Sequence, residues 1–192
     1  MEIGIWGDSI TYGESDSEAL GWVGRLRKST SVDEDKQVYN RGICGNTTED
    51  LLKRFKVEAD SLEPNIVVFA IGINDSKYPV GEQTNKISLE QFKKNIESLL
   101  QQAKVYTQTI FVVGATQVDE EVVSQWKDSS LFYNAEIQKY NDVLKETAAS
   151  SGVSYVDVSE VLDAKTDLHD GLHPNAKGYE KLAMAIKSEI KI

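Results

Sequence analysis

The sequence predicts an α/β protein: a parallel sheet of about five strands held between two layers of helices. Three observations carry that expectation. Short β-branched runs alternate with stretches of helical periodicity along all 192 residues. The strongest run, Ile66-Val67-Val68-Phe69-Ala70-Ile71, is apolar at every position, as a strand covered by helices on both faces should be. With 40% apolar residues, a chain of this length can build a full core without disulfide or metal staples.

The elements follow in order. Ile3–Trp6 reads as a first strand, Gln37–Asn40 as a short second, Ile66–Ile71 as the third, and Thr109–Val113 and Val153–Val156 as the last two. Thr47 and Thr48 can cap a helix carrying Leu51, Leu52, Phe55 and Ala59. Ser88 and Gln91 form a capping-box pattern ahead of Leu89, Phe92, Ile96, Leu99, Leu100 and Ala103. Tyr133, Ile137, Tyr140, Leu144 and Ala148 make a third stripe that Gly152 closes. A last helix is expected to begin at Pro174, a favoured first-turn residue, and to bury Tyr179, Leu182, Ala183, Ile186 and Ile190. Arg25, Arg27 and Lys28 read as a solvated face. Composition is even, without repeat, linker or low-complexity tract, so residues 1–192 read as one domain of flavodoxin-like, three-layer α/β/α type.

Charge excludes several functions. Against 21 basic residues stand 31 acidic ones, a net charge of −10, which repels nucleic acid and anionic membranes. No apolar run approaches the ~20 residues needed to span a bilayer, so no membrane insertion is expected. Met1-Glu2-Ile3-Gly4-Ile5-Trp6 has no basic stretch ahead of an apolar one, hence no leader pattern. One cysteine allows no internal disulfide and no cysteine-rich metal site. A reducing, cytoplasmic setting is the expectation.

Open parallel sheets bind ligands beyond the carboxyl ends of their strands. Gly7-Asp8-Ser9-Ile10 follows strand one, Asn40-Arg41-Gly42-Ile43-Cys44-Gly45-Asn46 strand two, and Gly72-Ile73-Asn74-Asp75 strand three. The fifth strand leads to Asp170-Gly171-Leu172-His173-Pro174. Together these segments hold a hydroxyl, an imidazole, a carboxylate and several hydrogen-bond donors, the parts required for acyl transfer. A serine hydroxyl attacks a carbonyl only when a neighbouring base takes its proton, and that base needs a third group to fix its tautomer. His173 is the candidate base and Asp170, three residues earlier, its partner. Pro174 would set His173 at the head of the last helix, where the positive dipole keeps the resting ring neutral.

The four segments resemble the four sequence blocks of the SGNH (GDSL-type) hydrolase superfamily, in that family's order, from Gly7 to His173. The resemblance implies Ser9 as nucleophile with Asp170 and His173 completing the triad. It implies the N–H groups of Ser9 and Gly42 and the amide of Asn74 as oxyanion donors. It also implies esterase, lipase, thioesterase or carbohydrate deacetylase chemistry on a five-stranded parallel sheet. Ile10 stands where the family's name has leucine, an apolar exchange that leaves the chemistry intact.

The remaining candidates are assigned one by one. Asp8 and Asp75 read as structural acceptors for nearby backbone N–H groups. Cys44 reads as a pocket wall, with nothing visible to activate its thiol. Two loops, Ser76–Ile87 with Tyr78 and Gln117–Ser130 with Trp126, are candidates for substrate selection. His169 and His173 are spaced like metal ligands on a helix, but Gly171 and Pro174 argue against a helix there. Neither G-x-G-x-x-G, a P-loop nor G-x-S-x-G occurs. The expectation is a serine esterase acting on a small-molecule acyl ester or thioester, with no cofactor and no metal. Two rivals remain: a metal-dependent phosphoesterase built on Asp8, Asn74, Asp75, His169 and His173, and a non-catalytic binding module.

Overall fold

The computed structural model describes residues 1–30, 35–126 and 130–190. The apolar third run forms β3 (Ile66–Ala70) at the centre of a five-stranded sheet. Around it lie β1 (Glu2–Gly7), β2 (Gln37–Gly42), β4 (Ile110–Val113) and β5 (Ser154–Val156). All pairings are parallel and the order is β2-β1-β3-β4-β5, the flavodoxin-like winding. In register, Gly7 lies between Gly42 and Ala70, so three strands end side by side.

Alternation along the strands divides the core. Val67 and Phe69 point to the face covered by α3 (Thr48–Leu62), α5 (Leu89–Ala103) and α7 (Asn134–Ser151). There Phe55 packs edge-on against Trp6 and Phe69, with centroids 4.9 and 5.0 Å apart. Ile3, Ile5 and Val68 point the other way, onto α2 (Gly21–Thr30) and α8 (Ala176–Ile190). Short helical turns α1 (Ser9–Tyr12), α4 (Ile73–Ser76) and α6 (Glu120–Val123) sit at the carboxyl edge or in the loops beyond it. Among the described residues no helix is long and apolar enough to cross a membrane.

Two features differ from the sequence expectation. Residues 21–30 are helical, and Arg25 is not solvated: its side chain is 12% exposed and bound to Asp16 and Glu18. The last helix begins at Ala176, not Pro174. Asn175 takes the capping role, its side chain accepting from Gly178 N at 3.0 Å, while Pro174 bridges to Leu168 in extended backbone.

Candidate active site

Asp8 follows β1 and caps α1 by accepting from Ile10 N at 3.0 Å, which places Ser9 in the first turn. The imidazole arrives from 164 residues away, with His173 Nε2 2.9 Å from Ser9 Oγ. Its other nitrogen, Nδ1, lies 2.8 Å from Asp170 Oδ2. Asp170 Oδ1 meanwhile accepts from the N–H groups of Leu172 and His173, at 3.0 and 2.8 Å. Burial would raise the Asp170 carboxyl, but these hydrogen bonds outweigh it and hold the group at about 2. An ionised carboxylate only accepts, so Nδ1 carries a proton, and the neutral ring then presents Nε2 to the hydroxyl as an acceptor.

The loop carrying Asp170 and His173 is fixed from both ends. Asp119 N donates to Gly171 O at 2.8 Å, and Leu172 is buried against Ile73, Val118 and Phe132. His169 N donates to His173 O at 2.8 Å, so the two histidines meet through backbone, not along one helix face. Because α8 starts three residues later, carboxylate contact and not a helix terminus sets the His173 ring.

The oxyanion assignment needs one correction. The Gly42 N–H is already donated to Asn40 Oδ1 at 2.9 Å, and Gly42 does not line the cleft beside Ser9 and His173. Gly45 does line it, with φ +78°, and its N–H has no acceptor among the described residues. The same holds for Ser9 N. Asn74 is 5% exposed in α4; its Nδ2 donates one hydrogen to Asn46 O at 3.2 Å and has a second to give. Ser9, Gly45 and Asn74 all border one cleft of about 360 Å³.

The cleft also receives Glu14, Cys44, Lys77, Trp126, Phe132 and His173. The Cys44 thiol donates to Glu14 at 3.3 Å, and burial together with that carboxylate pushes it up to about 11, so it is a wall and not a nucleophile. Trp126 stacks edge-on with Phe132 at 6.3 Å, forming an aromatic side of the cleft. Tyr78 stands outside it, packed on Tyr133 at 5.6 Å and paired through its backbone with Leu131. That pairing ties the first candidate loop to the residue that follows the second; residues 127–129 of the second lie outside the described residues. Lys77 and Glu14 were not singled out from sequence, although Lys77 stands only three residues after Asn74.

Two buried carboxylates support the site from below. Burial raises Asp8 to about 6, against the Ile10 N–H and the nearby His173. Asp75 is raised to about 7 by burial, which outweighs its bonds from Thr48 N and Oγ1. Both are occupied as acceptors, in the structural roles expected of them. Among the described residues no group of three His, Cys, Asp or Glu side chains is placed to hold a metal ion.

Comparison with known proteins shows the family. The GDSL-like lipase/acylhydrolase family model matches residues 5–181. An acetylxylan esterase of Geobacillus stearothermophilus is 26% identical, over 96% of this chain and 91% of its own. A multidomain esterase of Ruminococcus flavefaciens is 35% identical over 62% of the chain, a segment that makes up 14% of that much longer protein. The crystal structure of a lipase/acylhydrolase from Enterococcus faecalis superposes with a TM-score of 0.82 at 27% identity, covering 99% of this chain and 95% of that one. The chain belongs to the GDSL-like lipase/acylhydrolase family of carboxylic ester hydrolases.

Proposed function

We propose that this protein hydrolyses carboxylic esters through an acyl-enzyme intermediate on Ser9. The observation that carries the reading is the unbroken relay from Asp170 through His173 to Ser9, with contacts of 2.8 and 2.9 Å. Ser9 Oγ attacks the acyl carbonyl as its proton passes to His173 Nε2, and the oxyanion forms against Ser9 N–H, Gly45 N–H and Asn74 Nδ2. Collapse expels the alcohol, which takes the proton from His173. Water then attacks the acyl-serine with His173 again as base, releasing the acid and restoring the hydroxyl. Asp170 stabilises the imidazolium at each stage without itself being protonated.

The cleft suits a small acyl group on a polar alcohol. Its volume is about 360 Å³, and Glu14, Lys77 and Ser130 share its lining with Trp126 and Phe132. Aromatic faces beside polar groups are the usual surroundings of a sugar ring. The names of two relatives, an acetylxylan esterase and a multidomain esterase, support an acetylated carbohydrate as substrate. A single cysteine, free of any disulfide, fits a reducing, cytoplasmic compartment.

A p-nitrophenyl ester series from acetate to palmitate tests both parts. Turnover should be highest with acetate and fall steeply with chain length. Ser9→Ala should lose turnover by roughly 10⁵–10⁶, as for a nucleophile removed from another serine hydrolase. Activity of that variant within tenfold of wild type would reject the mechanism. A preference for palmitate would reject the short-acyl reading alone.

A further inference from the structure

Asn74 supplies the side-chain donor of the proposed oxyanion site, and an amide can sit in two orientations half a turn apart. Here two neighbours select one. Asn46 O can only accept, and lies 3.2 Å from Nδ2. The Lys77 ammonium can only donate, and lies 3.3 Å from Oδ1. Lys77 also lines the cleft, half-buried, and among the described residues no carboxylate lies within ion-pair distance of it. In a chain of net charge −10, a half-buried lysine paired to an amide instead of an acid calls for an explanation. Surface lysines elsewhere do find acids: Lys56 binds Asp60 and Lys94 binds Glu90, both at 2.6 Å.

We propose that Lys77 is a positioning residue for ester hydrolysis: it locks the Asn74 amide with Nδ2 toward the forming oxyanion and polarises that amide with its charge. The proposal rests on the esterase reading above. A charged donor on Oδ1 draws electron density from the amide nitrogen and makes its N–H groups better donors. The gain is largest when full negative charge develops on the carbonyl oxygen, so it belongs to the transition state and not to substrate binding. Burial and the facing Lys86 lower the proton affinity of Lys77, while Asp75 and Asp8 favour its charged form. The cation is thus within electrostatic reach of the two buried carboxylates and hydrogen-bonds the one amide proposed to meet the reacting oxygen.

The test is a double-mutant cycle on p-nitrophenyl acetate with wild type, Lys77→Met, Asn74→Ala and the double variant, plus Lys77→Arg. Lys77→Met should lower kcat by roughly tenfold, the equivalent of ~1.4 kcal/mol in the barrier, with KM within about twofold. Lys77→Arg should recover most of the loss. With Asn74 already removed, Lys77→Met should cost less than about twofold more, because its partner is gone. Equal losses in both backgrounds, a loss confined to KM, or Arg no better than Met would each overturn the proposal. If Lys77→Met shows no cooperative unfolding transition, Lys77→Gln takes its place: a kcat between Met-like loss and wild type is expected, and wild-type kcat overturns the role of the charge. Near-normal kcat in Asn74→Ala alone would instead remove the oxyanion reading beneath it.

Discussion

A Cβ placed on Gly42 would lie 2.2 Å from the Tyr12 backbone nitrogen, whereas one on Gly45 would meet nothing within 4 Å. The two glycines of one loop thus do different work: Gly42 lets β2 end against α1, and Gly45 turns the chain at the edge of the cleft. Gly42→Ala should destabilise the fold by ~1–3 kcal/mol through overpacking, read as a lowered urea midpoint. Gly45→Ala should cost only ~1–2 kcal/mol for a side chain at positive φ, and retain turnover because the N–H survives. A Gly45→Ala variant that unfolds at lower urea than Gly42→Ala would contradict this division. Spacing alone points to a glycine in this loop, but not to which N–H is spent; the deciding group is Asn40, whose amide folds back onto Gly42. The proposed triad is different, because hydroxyl, imidazole and carboxylate are chemically distinctive and leave few other candidates. Asp170→Ala should lower kcat by up to ~10⁴, the loss seen when such a carboxylate is replaced in a serine protease.

At the scale of elements, two of the three proposed oxyanion donors, Gly45 and Asn74, come from segments that are joined by one buried network. Asp75, beside Asn74, accepts from Thr48 N at 3.1 Å and from Thr48 Oγ1. Asn95 of α5 donates to that hydroxyl at 2.8 Å, and Gln91 to Asn95 at 2.8 Å. The start of α3, and with it Gly45 and Asn46, is therefore held against α4 and α5. Thr48→Val keeps the shape but strips Asp75 and Asn95 of a shared partner. It should cost ~1–3 kcal/mol of stability and also lower kcat, measured by urea unfolding and on p-nitrophenyl acetate. A loss of stability with unchanged kcat would show that the network serves the core alone. Most elements were legible because their burial is one-sided or complete: β3 is apolar throughout, α5 carries a long stripe behind its Ser88 cap, and α7 one that Gly152 closes. Helix α2 was not, since Gly21, Gly24, Ser29 and Thr30 break its pattern and only Trp22, Val23 and Leu26 face the core. Its helical start is held instead by Asp16, which accepts from Leu20 N and Gly21 N and binds Arg25, a contact across turns that no periodicity reveals.

On the scale of the whole molecule, pH divides the carboxylates into two groups with opposite effects on stability. Asp16 and Asp170 are held at about 2, because their hydrogen bonds outweigh the burial that would raise them. Their contribution is complete above the unfolded value near 4 and is lost as pH falls toward 2. Asp8 and Asp75 are raised by burial to about 6 and about 7. Between about 4 and those values the native state binds more protons than the unfolded chain, so stability falls as pH rises through that window. The net charge of −10 adds self-repulsion in the same direction. Calorimetry at fixed ionic strength should therefore show a Tm at pH 5 at least ~3 °C above that at pH 8, turning down again below about pH 4. Asp75→Asn keeps an acceptor for Thr48 N–H but has no charge to bury, so it should flatten the slope between pH 5 and 8 while leaving the acid limb in place. A wild-type Tm that climbs steadily from pH 5 to 8 would mean that the two carboxylates beneath Ser9 and Asn74 are not under the strain their burial imposes.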